Sequence, residues 1–138
     1  MNQRQNDHFG KLTVTVRQAR GALPVEGASV VIAGAEEGFE TVLYTLTTDR
    51  SGNTPTVSLP APPAENSLTP GFQGAVSFSY HILTDKPGYI GVRNLFVPIY
   101  DGVTAIQNVS FVPCQAGSEQ SPYPGDVLRY NENERPDL

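Results

Sequence analysis

Two stretches of strict side-chain alternation constrain this chain more than anything else in it. Lys11 to Arg17 reads KLTVTVR and sets Leu12, Val14 and Val16 against Thr13, Thr15 and Arg17. Ala75 to Thr84 reads AVSFSYHILT and sets Val76, Phe78, Tyr80 and Ile82 against Ser77, Ser79, His81 and Leu83. A period of two places one set on a buried face of a β-sheet and the other on its wet face. Shorter runs share this character: Ala28 to Ala33, Thr41 to Thr48, Thr56 to Leu59, Tyr89 to Tyr100 with a break near Arg93-Asn94, and Thr104 to Val112. None shows the period of an amphipathic helix. Turn formers punctuate the runs. In Asp49-Arg50-Ser51-Gly52-Asn53 the Asp opens a tight turn and the Gly accepts a positive φ, and Asp101-Gly102 signals a hairpin. About seven strands spaced by roughly ten residues predict an all-β, Greek-key sandwich.

The sandwich is expected over residues 10–113, between a polar leader (1–9) and a polar tail (114–138) that is partly ordered or a linker. Val127-Leu128 is the only apolar hold in that tail. Pro60 to Gly74, PAPPAENSLTPGFQG, lacks periodicity, and its four prolines make it an extended insertion. Long loops inside compact domains are frequently functional. Nine Lys and Arg among fourteen Asp and Glu give a net charge of −5, which excludes the basic surface that nucleic acid or an anionic membrane requires. Cys114 is the sole cysteine, so no intrachain disulfide forms. The leader MNQRQNDHF has no apolar core of a signal peptide, and no run suits a spanning helix. The expected setting is therefore cytoplasmic or forespore, or wall-associated by a non-classical route.

The order of several short motifs adds a resemblance. Gly10-Lys11-Leu12-Thr13-Val14 opens the domain, Pro24-Val25-Glu26-Gly27-Ala28 precedes the second strand, Thr48-Asp49-Arg50-Ser51-Gly52 marks a turn, and Gly88-Tyr89 follows a strand. Together, over about residues 10–113, these resemble the carboxypeptidase regulatory-like domain, a transthyretin-like (prealbumin-like) sandwich. The Pro60 to Gly74 loop departs from that pattern. With VPIYDGVTAIQNVSFVP downstream, it is similar to a variant beside peptidoglycan-binding and spore cortex-lytic proteins of clostridia. The resemblance implies an accessory role in a bacterial wall or spore context and supplies no ligand residues.

Catalytic, cofactor and metal residues are expected to be none. His8 and His81 make a poor metal site without a third ligand. The hydroxyisourate hydrolase built on the same sandwich ends in Tyr-Arg-Gly-Ser, whereas Leu128-Arg129-Tyr130-Asn131 has the wrong order. No zinc-peptidase motif or GxSxG elbow occurs. Asp49 to Asn53 has too few carboxylates for calcium, Asn108-Val109-Ser110 is a glycosylation sequon within a strand, and Cys114 has no activating base. A Lys11–Asn108 isopeptide bond, with Asp85 or Glu40 as acid, needs Lys11 buried, yet alternation puts it with Thr13 and Thr15. What remains is a non-catalytic binding module whose partner is a protein or peptidoglycan. Phe72, Tyr80, Tyr89 and Tyr100 are the candidate contacts, because Tyr anchors interfaces and stacks on sugars. The alternatives are a structural spacer or strand-adding oligomer and, more remotely, a small hydrolase.

Overall fold

A computed structural model describes residues 8–65, 71, 74–114 and 127–132. Among the described residues nine strands form: β1 (Phe9–Gln18), β2 (Leu23–Pro24), β3 (Ser29–Gly34), β4 (Val42–Thr47), β5 (Val57–Pro60), β6 (Phe78–Asp85), β7 (Gly91–Ile99), β8 (Thr104–Ser110) and β9 (Val127–Asn131). They make two sheets. In the first, β1 pairs parallel with β8 along one edge and antiparallel with β5 and β2 along the other. The second runs β4-β3-β6-β7-β9, with β9 parallel to β7. The fold is an all-β sandwich. Beyond the strands marked by alternation stand β2, two residues long, and β9, formed by the tail.

The alternation of β1 does what its sequence demands. Leu12, Val14 and Val16 are fully buried and face Val30 and Ile32 of β3, Ile82 of β6 and Val92, Val97 and Ile99 of β7 in one apolar core. Lys11 faces outward in register with Thr104, while Asn108 pairs with Thr15. Four residues of strand, about 13 Å, thus separate Lys11 from the partner position of Asn108, and an isopeptide bond between them has no geometry.

Two turns depart from expectation in an instructive way. Asp101-Gly102 does not close a hairpin, because β7 and β8 lie in different sheets. A two-residue hairpin turn of the expected type needs positive φ at both positions, and here only Gly102 has it, at 76°. The Gly102 N–H instead donates to Phe9 O, and the Lys11 N–H donates to Val103 O, so the corner feeds β8 alongside β1. The expected break at Arg93-Asn94 is also absent. The strand runs through, and the irregularity falls two residues later, where Phe96 at φ 56° makes a bulge opposite His81.

The Asp49–Asn53 turn is a structural device. The Asp49 carboxylate accepts the N–H groups of Ser51 and Asn53, and the Val16 N–H donates to Gly52 O at 2.7 Å. Gly52 sits at φ +82°, and a Cβ there would lie 2.5 Å from Val16 O. Buried Thr48 and Thr54 close the remaining gaps, with Thr54 Oγ1 accepting the Val14 N–H. Gly52→Ala is accordingly expected to destabilise the domain by about 3 kcal/mol, through strain plus collision. Gly38→Ala, with φ +86° but open space around it, should cost only about 1 kcal/mol. Urea unfolding of both variants checks this, and equal losses would contradict it.

Candidate functional site

The three aromatic candidates among the described residues do not converge. Phe72 lies outside the described residues. Tyr80 is 5% exposed, and its hydroxyl donates to Pro60 O at 2.6 Å. Tyr89 is half-buried and stacks on Phe111 with ring centroids 4.8 Å apart. Tyr100 alone is open to solvent. The reason is burial: Tyr80 falls on the inward phase of β6, and Tyr89 caps the bottom of the core. The loop they were expected to serve is pinned at its start. Ala61 N–H donates to His8 O, Ala64 N–H donates to Asp101 Oδ2, and His8 Nδ1 meets the same carboxylate at 2.9 Å. Those contacts hold the Asp101 carboxyl below its ordinary range, the Ala64 N–H most of all.

His81 faces outward on β6. Its Nδ1 accepts the Phe96 N–H at 3.2 Å and its ring meets Phe96 edge-on. Partial burial lowers its proton affinity, so it serves the bulge as a neutral acceptor. Among the described residues, no three His, Cys, Asp or Glu side chains group to hold a metal ion.

A site appears elsewhere, on the side where the sandwich stays open. The first sheet ends at β8 and the second extends past it through β7 to β9, leaving a cleft of about 250 Å³. Val92, Asn94, Gln107, Asn108, Val109, Ser110, Tyr130 and Glu132 line it. Two of these are polar residues on inward phases. Asn94 follows Val92 on β7 and is 3% exposed, and Gln107 precedes Val109 on β8. Asn94 Nδ2 donates to Glu132 Oε2 at 2.7 Å, while its Oδ1 is buried with no hydrogen-bond partner among the described residues. Turning the carboxamide over would set its oxygen against the Glu132 carboxylate, so the orientation is fixed by charge. Glu132 is itself placed by its N–H, which donates to Leu95 O at 2.7 Å. Tyr130, 48% exposed, offers its ring at the rim.

Side-chain alternation alone does not reveal this cleft. Its signal was an interrupted apolar phase in two strands: Asn94 after Val92, and Gln107 between Ala105 and Val109. A polar residue on a core phase marks either an irregularity or a buried polar site, and only the pairing of β7 with β9 distinguishes them.

No family model and no curated protein sequence matches the chain. Solved structures do. Catechol 1,2-dioxygenase from Pseudomonas arvilla C-1 is similar at TM-score 0.55 and 11% identity, over 91% of this chain and 59% of that one. Catechol 1,2-dioxygenase from Acinetobacter sp. ADP1 gives 0.54 and 16%, with the same coverage. The Bacillus anthracis TIE protein gives 0.50 and 15%, over 78% of this chain and 17% of that one. The chain thus spans well under two thirds of each of these proteins. At such identities the likeness shows the sandwich fold alone.

Burial, reinforced by Glu36, pushes the Tyr80 hydroxyl up to about 12. A raised folded-state value stabilises fully below the unfolded value near 10 and is lost as pH rises through about 12. Wild-type stability should therefore fall across that window more steeply than that of Tyr80→Phe. Urea midpoints measured on both sides of it test this, and parallel curves would contradict it.

Proposed function

We propose that this chain is a non-catalytic accessory module that seats a polar ligand in the cleft between β7, β8 and β9, and that the ligand is part of peptidoglycan. The observation that carries this reading is the Asn94 carboxamide oxygen, buried in the cleft wall and without a hydrogen-bond partner among the described residues. A buried acceptor without a donor costs about 1–3 kcal/mol. Local violations of this kind concentrate where a protein binds something. A hydrophobic residue of the same size would fit the Val92 side of β7 without that cost. The wall polymer carries hydroxyl, amide and amine donors, and the motifs shared with carboxypeptidase regulatory-like domains favour an accessory role beside a wall enzyme. The net charge of −5 speaks against nucleic acid as the ligand.

A second reading is structural, and β8 favours it. Among the described residues it pairs with β1 alone, and Val103 to Val112 contains no charged residue or proline. Edges without such protection invite strand addition. A strict monomer at high concentration in light scattering removes this version.

The binding reading is tested by retention on purified peptidoglycan. Wild type should be retained above an unrelated acidic sandwich protein. Tyr130→Ala should weaken retention by roughly tenfold, the effect of losing an aromatic anchor. Tyr100→Ala, at the far corner, should bind as wild type does. Wild type that washes through with the control overturns the proposal.

A further inference from the structure

Within the cleft, internal hydrogen bonding leaves both donors and acceptors, but the buried side-chain atom of its wall that has no partner among the described residues is an acceptor, Asn94 Oδ1. Asn94 gives one of its two amide hydrogens to Glu132 and keeps Oδ1. Gln107 Nε2 donates one hydrogen to Asn108 O at 3.1 Å, which leaves its second hydrogen and Oε1. Glu132 adds a carboxylate, with one oxygen not engaged by Asn94. Asn108 and Ser110 also line the cleft, although they stand on the outward phase of β8, in register with Thr15 and Arg17. The inner wall therefore presents two amide oxygens and a carboxylate beside a tyrosine ring.

One ligand group matches such a wall. An alkylammonium carries three N–H donors and no acceptor, brings positive charge to Glu132, and gains from an aromatic face close by. A neutral hydroxyl or a secondary amide offers one donor and brings no charge to the Glu132 carboxylate. A carboxylate or phosphate would meet Glu132 in a chain already net negative. We infer that the cleft captures a primary ammonium on a flexible alkyl chain, the chemistry of a lysine-type side chain presented by a peptide. Its volume of about 250 Å³ suits one such side chain. Glu132, the residue after β9, is exposed, so its carboxylate is reachable from solvent.

This inference rests on the binding reading, and the experiment separates the two. The probe is Nα-acetyl-lysine methylamide, titrated into the full chain by NMR, with its Nε-acetylated form as the counter-probe. Saturable shifts at Asn94, Gln107 and Tyr130 with the amine only are expected. Glu132→Gln, which keeps the shape, should weaken the amine by about fivefold or more, an ordinary loss for a partly exposed charge pair. Equal response to both probes, or no saturation by the amine, overturns the inference. In parallel, peptidoglycan is offered before and after acetylation of its free amines. Loss of retention on the acetylated polymer supports ammonium capture. Unchanged retention there sinks it but leaves wall binding standing. A chain that saturates with the amine probe yet ignores both polymers keeps the ammonium site and discards the wall.

Discussion

The architecture depends on β1 being hydrogen-bonded along both of its edges. On one side the full length of β8 runs parallel to it, from Lys11 with Thr104 to Arg17 with Ser110. On the other, β5 covers its first half and β2 its end, with the Gly52 carbonyl and the Thr54 hydroxyl taking Val16 and Val14 N–H between them. That seam fixes Leu12, Val14 and Val16 at the centre of the core. It also limits the first sheet to three strands in width, whereas the second has five. The wider sheet cannot be covered on both sides. Tyr44 of β4 donates to Ser58 O of β5 at 2.9 Å and ties the sheets together there, so the overhang falls on the other side, at β7 and β9. The cleft is a consequence of unequal sheets.

Within that overhang, polar side chains on inward phases become tolerable. Val92 lies deep enough to stay apolar and buried. Asn94, one step along the same phase, sits under Glu132 at the border of the core. Burial there is sufficient to strip water from the carboxamide and insufficient to give it two partners. Thr84 on neighbouring β6 also keeps a buried oxygen without a partner among the described residues. It lies beside Val92 in a second cleft of about 310 Å³ whose lining includes Asp85 and Arg93. Among the described residues, Asn94 is the one of the two that hydrogen-bonds a carboxylate.

Much of the fold was legible in side-chain phase. β1 and β3 follow their alternation residue for residue, because each has one dry face and one wet face. β6 follows it from Phe78 onward, whereas Val76, expected inward, precedes the strand and is exposed, and in β8 Gln107 takes an inward position while Ile106 is exposed on the outward one. Less legible was everything decided by which sheet a strand joins. Asp101-Gly102 carries the chemistry of a hairpin turn, yet the competing bonds from Gly102 to Phe9 and from Lys11 to Val103 draw the chain across to the first sheet. The partner of Val127–Asn131 was equally hidden, since a parallel pairing with β7 leaves no local signal. The site followed suit. Tyr80 was chosen for its ring, and its phase in β6 should have counted against it. Asn94 and Gln107 were visible as interruptions, but an interruption becomes a site only when β9 brings Glu132 and Tyr130 to it.

On the proposed function, a ligand completes Asn94, which the fold leaves half-satisfied at the border of the core. Asn94→Leu tests this most directly, since Leu keeps the volume and removes both polar groups. Stability by urea unfolding and retention on the wall polymer are measured on the same preparation. The variant should be more stable than wild type by about 1 kcal/mol, the recovered cost of one orphaned acceptor less one lost hydrogen bond, and should lose binding. A variant that is less stable, or that binds as wild type does, would contradict it.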